Sequence, residues 1–388
     1  MKNTLTFKVP GKGIKYVSLY DMPTLDKIVI QDFRNIALQE IEFSPNINCI
    51  SGGNGEGKTN LLDAVWYLSM TKSAFAASDR YNFRHGCSSF ALSGIYTMGD
   101  GPRSRFSMQV SEGGEKRLRR DDKPYGRISE HIGVLPIVMV SPADIALVSE
   151  SGDERRRFVN SVLSQMDGEY LNSMQQYNRL LLQRNRLLKD GCADEDLLDT
   201  FDGRLSVLAE PVSKRRAEFC SSLVPVVQRY YAEISGGREE VDIEYRSDLR
   251  DDNLYDILKS RRERDRLLKF TGAGIQRDDF LFSMNSHPIR RCGSQGQQKS
   301  FIVALKFAQY ELMKLSCGCA PMMLLDDLFD KLDPSRVSNL LGMVSDREFG
   351  QIFITDSDKV RTRGIVDAIT ADRVYLRTEG GVFTRADE

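Results

Sequence analysis

Histidine is scarce in this sequence, with three in 388 residues, and His85, His131 and His287 lie far apart. That spacing gives no support to a zinc site. Seven cysteines are scattered without a C-x-x-C pair, and their number is odd. Free, buried thiols in a reducing compartment are therefore the expectation, and a disulfide framework is not. No apolar run reaches the length of a membrane-spanning helix and no signal peptide opens the chain, so a cytoplasmic protein without a membrane partner is expected. An excess of one charge is missing too, since 54 Lys+Arg stand against 55 Asp+Glu. A nucleic-acid partner would have to be met by a local basic face. Internal repeats, low-complexity tracts and a sustained heptad are also absent, which argues against a coiled-coil arm.

What is present suits two or three globular domains, with 41% hydrophobic and 28% charged residues. The organising stretch is Gly52-Gly53-Asn54-Gly55-Glu56-Gly57-Lys58-Thr59, a complete G-x-x-x-x-G-K-[ST] pattern. Ile47-Asn48-Cys49-Ile50 ahead of it reads as a buried strand, and Leu61, Val65 and Leu68 behind it have helical spacing. Strand, glycine-rich turn and helix N-terminus make an anion cradle, because the backbone can wrap close to phosphate oxygens and the helix dipole favours negative charge. Residues 52–60, ending in Asn60, are the expected nucleotide-binding set. Lys58 would reach the β- and γ-phosphates, and the Thr59 hydroxyl would ligate Mg²⁺.

Residues 1–21 stand apart from the clearer pattern that begins at Met22-Pro23. They form either a short extra strand or an extension upstream of a true start at Met22, and the second reading is preferred. Strands are expected at 25–30, 36–43, 89–96, 103–110 and 115–122, with 134–140 as a central, doubly covered strand. Beyond residue 150 the pattern turns helical. Tyr170, Met174, Tyr177, Leu181 and Leu188 make a stripe with Arg179, Arg184, Arg186 and Lys189 outside it, and Pro211 and Pro225 should break the helix spanning 194–234. The expected division is an N-terminal extension (1–22), an α/β ATP-binding lobe (23–150 with 271–388) and a mainly helical lobe (151–270).

Met322 to Leu325 is an apolar strand ending in Asp326-Asp327. A first carboxylate there can hold a metal and a second can orient or deprotonate a water, so Asp326 is assigned to Mg²⁺ and Asp327 to the attacking water. Asp333-Pro334 then opens a helix. Ser294-Gln295-Gly296-Gln297 places a hydroxyl and a glycine at another helix start, over Phe301, Leu305, Ala308, Leu312 and Leu315. Serine at an N-cap is common on its own. Beside a complete P-loop, a second such cap is most economically explained as gripping the γ-phosphate held by another protomer.

These residues resemble the ATP-binding-cassette ATPases of the SMC class, and within it the RecF family of recombination mediators. The resemblance runs from Leu25 to Leu376. It rests on Asp32-Phe33-Arg34-Asn35, the P-loop, Val140-Ser141-Pro142-Ala143-Asp144, Arg155-Arg156-Arg157-Phe158, Arg277-Asp278-Asp279, Ser294-Gln295-Gly296-Gln297-Gln298-Lys299, and Leu324-Leu325-Asp326-Asp327 with Leu332-Asp333. It implies an ATP-dependent homodimer with two composite sites, each joining Lys58 and Asp327 to the opposing Ser294. Gln295, Gly296, Gln297 and Asp333 would complete the nucleotide contacts. It also implies slow ATP hydrolysis, binding to duplex DNA and gap junctions, and cooperation with RecR and RecO in loading recombinase. Lys58 and Ser294 stand 236 positions apart (294 − 58), longer than in a transporter ATPase and without the arms of a full SMC protein.

Three stretches depart from the family pattern. Gly274-Ile275-Gln276 precedes the Arg-Asp-Asp run in place of Gly-Pro-His, Ser149 to Glu154 lacks a Gly-x-Pro, and Thr355-Asp356-Ser357-Asp358 lacks a switch histidine. Candidate DNA contacts are Lys116, Arg117, Arg119, Arg120, Lys123 and Arg127, and separately Arg261, Arg262, Arg264, Arg266 and Lys269, with a solvated face as the bland alternative for each. Rival readings are an ATP-gated clamp with negligible turnover, and an ATPase serving a nuclease.

Overall fold

A computed structural model describes residues 4–9, 13–18, 22–99, 101–191, 194–249, 252–327, 349–357, 363–364, 366–367 and 370–386. The chain divides into two compact units, residues 1–144 with 306–388, and residues 145–305.

In the first unit β1 (Thr4–Val9) and β2 (Gly13–Ser18) pair antiparallel, and among the described residues only with each other. Where the sequence suggests a lone strand or an extension, the structure has a separate hairpin. Next come β3 (Pro23–Phe33), β4 (Ile36–Glu42), β5 (Ile47–Ser51) and α1 (Lys58–Met70). They are followed by β6 (Ser89–Met98), β7 (Arg103–Ser111), β8 (Lys116–Arg120) and β9 (Lys123–Pro124). Six of these strands form an antiparallel sheet in the order β4-β3-β6-β7-β8-β9. In β6 and β7 the alternation is strict. Phe90, Leu92, Phe106, Met108, Val110 and Leu118 face a common core, and polar residues face outward. Helix α1 is buried almost all round (Leu61, Leu62, Ala64, Val65, Tyr67 and Leu68), as a helix sandwiched between layers must be. β10 (Ile137–Val140) ends this part of the chain.

The second unit is helix-rich. It contains α2 (Ala146–Ser149), α3 (Gly152–Met166), α4 (Gly168–Lys189), α5 (Glu195–Ser235), β11 (Val241–Arg246) and α6 (Leu254–Leu268). β12 (Asp279–Met284), β13 (His287–Pro288), α7 (Ile289–Cys292) and α8 (Gln295–Cys317) follow, with the unit boundary falling inside α8. The Asp167, Asp194 and Asn253 side chains cap α4, α5 and α6 by accepting backbone N–H bonds.

Three expectations need correction here. α5 runs unbroken through Pro211 and Pro225. Both prolines lie on its exposed side, where water can satisfy the carbonyls they leave unpaired, while a stripe from Leu198 to Ile234 buries the other side. Arg184 is fully buried, not outside the α4 stripe; helical spacing places it between Tyr177 and Leu188, and its charge is met internally. Residues 271–305 group with the helical unit and not with the ATP-binding lobe, because β12 pairs with β11 in the three-stranded sheet β11-β12-β13.

The chain returns to the first unit through β14 (Met322–Leu325), β15 (Ile352–Asp356), β16 (Arg373–Glu379) and β17 (Val382–Arg385). Its second sheet has the order β10-β14-β15-β5-β16-β17, parallel except for β17. β10 is buried on both faces as expected, yet it is an edge strand and not a central one.

The Arg184 guanidinium donates to Asp202 at 2.6 Å and Asp265 at 2.9 Å, all three side chains being at most 1% exposed. Removing one member of such a group leaves buried charge without a partner. Arg184→Met should therefore cost about 3–5 kcal/mol, read as a lower urea midpoint with an unchanged slope.

Candidate functional site

β5 delivers the chain into a turn that only glycine can make at two points. A Cβ on Gly52 would lie 2.7 Å from the backbone oxygen of Thr378 on β16, and Gly57, the N-cap of α1, has φ +108°. The far side of the turn is held by the β16–β17 hairpin. The Glu56 carbonyl accepts from Thr378 Oγ1 at 2.9 Å and from the Gly381 amide at 3.0 Å, while its carboxylate accepts from the Gly380 amide. The P-loop is thus fastened by residues more than 300 positions away in sequence. Lys58 is only 4% exposed and folds back, donating from Nζ to the carbonyls of Gly52 at 2.7 Å and Gly53 at 3.1 Å.

Sheet order brings the acidic strand to the same place. Thr59 Oγ1 lies 3.0 Å from both carboxylate oxygens of Asp326. Thr355, on the intervening β15, donates to Asp326 Oδ1 at 2.7 Å and accepts from the Asp327 amide at 3.0 Å. One hydroxyl therefore positions both acidic residues, and Asp327 takes a left-handed backbone, φ 43°. A threonine hydroxyl and a carboxylate in contact, both hard oxygen donors, fit Mg²⁺, which is bound through one or two carboxylates plus substrate phosphates. Thr59 and Asp326 would hold it. Asp333 lies outside the described residues.

The Asp32-Phe33-Arg34-Asn35 turn secures the start of α1. Arg34 donates to Asn60 Oδ1 at 2.9 Å and pairs with the buried Asp63 at 2.5 Å, and Asn60 donates to Asn35 Oδ1 at 2.7 Å. Asn60, expected among the nucleotide contacts, is here part of this brace.

In the second unit Ser294 and Gln297 form a reciprocal capping box at the start of α8. The Ser294 amide donates to Gln297 Oε1 at 2.7 Å, and the Gln297 amide donates to Ser294 Oγ at 3.3 Å. Gln295 is exposed and Gly296 half-buried. The two arginine–aspartate stretches meet each other. Arg155 makes a two-pronged pair with Asp279 at 2.8 and 3.0 Å, Arg156 donates to the Asp278 carbonyl, and Asp278 Oδ2 accepts from Arg216 at 2.5 Å and Tyr245 at 2.6 Å. Gln276, standing where the family pattern has histidine, accepts from Tyr177 at 2.5 Å and donates to the Ala273 carbonyl at 2.7 Å.

The two basic runs part company. Arg262 is buried and pairs with Glu195, Asp199 and Asp202, Arg266 pairs with Glu195 and Glu263, and Arg261 pairs with Asp248. In the other run strand alternation turns Lys116, paired with Asp79 at 2.8 Å, toward the protein. Arg117 and Arg119 lie on the solvent face, in register with Gln109 and Ser107 of β7, the face that also carries Arg103 and Arg105.

Sequence reasoning missed Thr355, the β16–β17 clasp on Glu56, and Glu239, which accepts from Gln297 Nε2 at 2.8 Å. Gly380-Gly381 between alternating residues was a usable hairpin signal. Thr355 and Glu239 carried none.

Burial raises the Asp326 carboxyl above its ordinary range, against the opposing pull of Thr355, Thr59 and Lys58. A carboxyl raised by folding contributes stability below its unfolded pKa and loses it as pH rises through the folded one. At neutral pH the ionised group therefore weakens the empty fold. Asp326→Asn should raise the thermal midpoint at pH 7.5 in the absence of nucleotide, yet weaken Mg²⁺-dependent nucleotide binding at least tenfold, about 1.4 kcal/mol. Differential scanning fluorimetry with and without Mg²⁺ and nucleotide reads both.

Comparison with known proteins identifies the family. A family model described as an AAA domain matches residues 27–200. The DNA replication and repair protein RecF of Bacteroides fragilis YCH46 is 40% identical over 365 residues, covering 94% of this chain and 99% of its own. That of Phocaeicola vulgatus is 40% identical over 366 residues with the same coverage. A solved structure described as the recombination mediator protein RecF-ATP in the RecFOR pathway superposes with a TM-score of 0.85 at 26% identity, covering 95% of this chain and 99% of that one. An Smc head domain from Pyrococcus furiosus has a TM-score of 0.56 at 14% identity, over 94% and 96% of the two chains, which shows a shared fold alone. The chain belongs to the RecF family of DNA replication and repair proteins and shares the fold of an Smc head domain.

Proposed function

We propose that this chain is an ATP-dependent, duplex-DNA-binding recombination mediator in which ATP closes two copies and slow hydrolysis reopens them. The observation that carries the reading is the contact of Thr59 with Asp326 beside a buried Lys58, which assembles both halves of a nucleoside-triphosphate site on one sheet edge. Lys58 would leave the Gly52 and Gly53 carbonyls for the terminal phosphates. Mg²⁺, when bound by Thr59 and Asp326, would neutralise phosphate charge. Asp327 would take a proton from the attacking water, whose oxygen bonds to the γ-phosphorus as ADP leaves. Ser294 would donate to the γ-phosphate on the opposite copy, with Gln295, Gly296 and Gln297 around it. Gap repair, and loading of recombinase together with RecR and RecO, are the roles we infer from the family, whose solved members are described as recombination mediators of the RecFOR pathway. A clamp with negligible turnover is the second reading, favoured by the want of a histidine after Thr355. Phosphate release with saturating duplex DNA separates the two.

Ser294→Arg should leave ATP affinity of the monomer within about twofold, yet abolish ATP-induced dimerisation and cut hydrolysis at least 100-fold, an effect of the size seen when an oxyanion donor is lost. Mixing it with Lys58→Ala should restore part of the hydrolysis, because each mixed dimer contains one site with an intact P-loop and an intact Ser294. Light scattering and phosphate release read these outcomes. Wild-type hydrolysis by Ser294→Arg alone would mean that the site is not shared.

DNA is expected on the outward face of β7 and β8. Alanine at Arg117 and Arg119 together should weaken ATP-dependent duplex binding and flatten the plot of log affinity against log salt by about two units or less, since each lost phosphate contact releases one counterion fewer. Fluorescence anisotropy over a salt series measures it, and an unchanged slope would move the interface elsewhere.

A further inference from the structure

The capping box at the start of α8 does not stand alone. Gln297 spends its Oε1 on the Ser294 amide at 2.7 Å, and its Nε2 donates to Glu239 Oε1 at 2.8 Å. Glu239 Oε2 in turn accepts from the hydroxyl of Tyr231, a residue 1% exposed, at 3.3 Å. Glu239 sits in the short connection between α5 and β11, and its position there is fixed. α5 ends on Gly236 at φ +75°, and Gly237 follows at φ +71°. The next residue, Glu240, exchanges two hydrogen bonds with Asn285 of the β12–β13 turn: its amide donates to Asn285 Oδ1 at 3.0 Å, and its carbonyl accepts from the Asn285 amide at 2.8 Å. Glu239 is therefore held through the backbone of the next residue by the turn, and at its carboxylate by Tyr231.

We infer that Glu239 is a positioning residue for Ser294, acting through the side-chain amide of Gln297. An amide side chain can present either its oxygen or its nitrogen to a neighbour, whereas a carboxylate can only accept. With Glu239 on one side, Gln297 must direct its NH₂ there and its oxygen toward the Ser294 amide. The Ser294 oxygen is then occupied as acceptor of the Gln297 amide, which leaves its hydroxyl hydrogen as a donor. A donor hydroxyl at a helix start is what an incoming γ-phosphate requires. Without Glu239 the Gln297 amide can turn over, place its NH₂ against the Ser294 amide, and open the box. The inference rests on the proposed role of Ser294 toward a second copy's nucleotide.

Four variants decide it, each measured for monomer ATP affinity with a fluorescent analogue, for the ATP-induced dimer by light scattering, and for hydrolysis at saturating ATP. Glu239→Ala should keep ATP affinity within about twofold of wild type, weaken the dimer, and lower hydrolysis by roughly 10- to 100-fold, as small misplacements of a reacting group do. Glu239→Gln keeps an acceptor oxygen and should recover most of the activity. Gln297→Glu sets two carboxylates against each other and should fall as far as Glu239→Ala. Joining it to Glu239→Gln reverses donor and acceptor and should restore the dimer, which a loss of fold could not explain. Wild-type dimerisation and hydrolysis by Glu239→Ala, with Ser294→Arg inactive, would overturn the role of Glu239 and leave the shared site standing. Failure of the double exchange to rescue would overturn it as well. If Ser294→Arg itself hydrolysed ATP normally, the shared site would be the part at fault.

Discussion

Asp326 is buried at the end of β14, where it accepts from Thr59 and Thr355. The Thr59 bond joins residues 267 positions apart in the chain. It forms because β14, β15 and β5 run parallel, so that the P-loop and the acidic strand end on the same edge of the sheet. A carboxylate in that position is costly to keep ionised. The hydroxyls and Lys58 offset part of the cost, and burial still prevails. The fold thus carries a charge whose full compensation would come from a ligand and not from the protein. Such a cost is what the proposed Mg²⁺ site, filled and emptied in turn, would entail.

In the second unit the same problem is solved without a ligand. Arg184, Asp202, Asp265 and Arg262 close on one another, and Arg216 with Asp278 and Arg155 with Asp279 do the same nearby. Paired arginines and paired aspartates separated by more than 120 positions could be taken for a catalytic or DNA-binding set. Their mutual contacts make them a brace that ties the start of α3 to the start of β12. A brace of this kind resists partial loss, since each removed charge strands another.

The P-loop, the acidic strand, most strand positions and the helix start at Ser294 were legible because each announces itself locally. Glycine marks the turn, a run of four apolar residues marks the buried strand, and alternation marks the antiparallel sheet. What was not legible depends on tertiary partners. Arg184 looks like a surface charge until Asp202 and Asp265 are placed beside it. Pro211 and Pro225 look like helix breaks until the opposite side of α5 is seen to be buried along its whole length. Arg262 and Arg266 look like surface charges until the carboxylates of α5 are found across from them. Residues 271–305 look like the return of the ATP-binding sheet until β12 is seen to pair with β11.

The two halves of the proposed site are prepared for phosphate in different ways. Lys58 has its donors engaged by the P-loop carbonyls, so binding there is an exchange in which protein contacts are given up for phosphate contacts. Net affinity would then be the difference between two strong interactions, with the Lys58 side chain changing partners. Ser294 gives up nothing comparable. Its amide and its oxygen are already satisfied within the capping box, and the hydroxyl hydrogen is the one group left to offer. On the proposed reading, a phosphate already lying in a P-loop would be gripped from that side without rearrangement. The order of events follows from this asymmetry. In the proposed cycle Lys58 would open to the nucleotide first, and the meeting of two copies across Ser294 would come after it, as a response to a phosphate already in place.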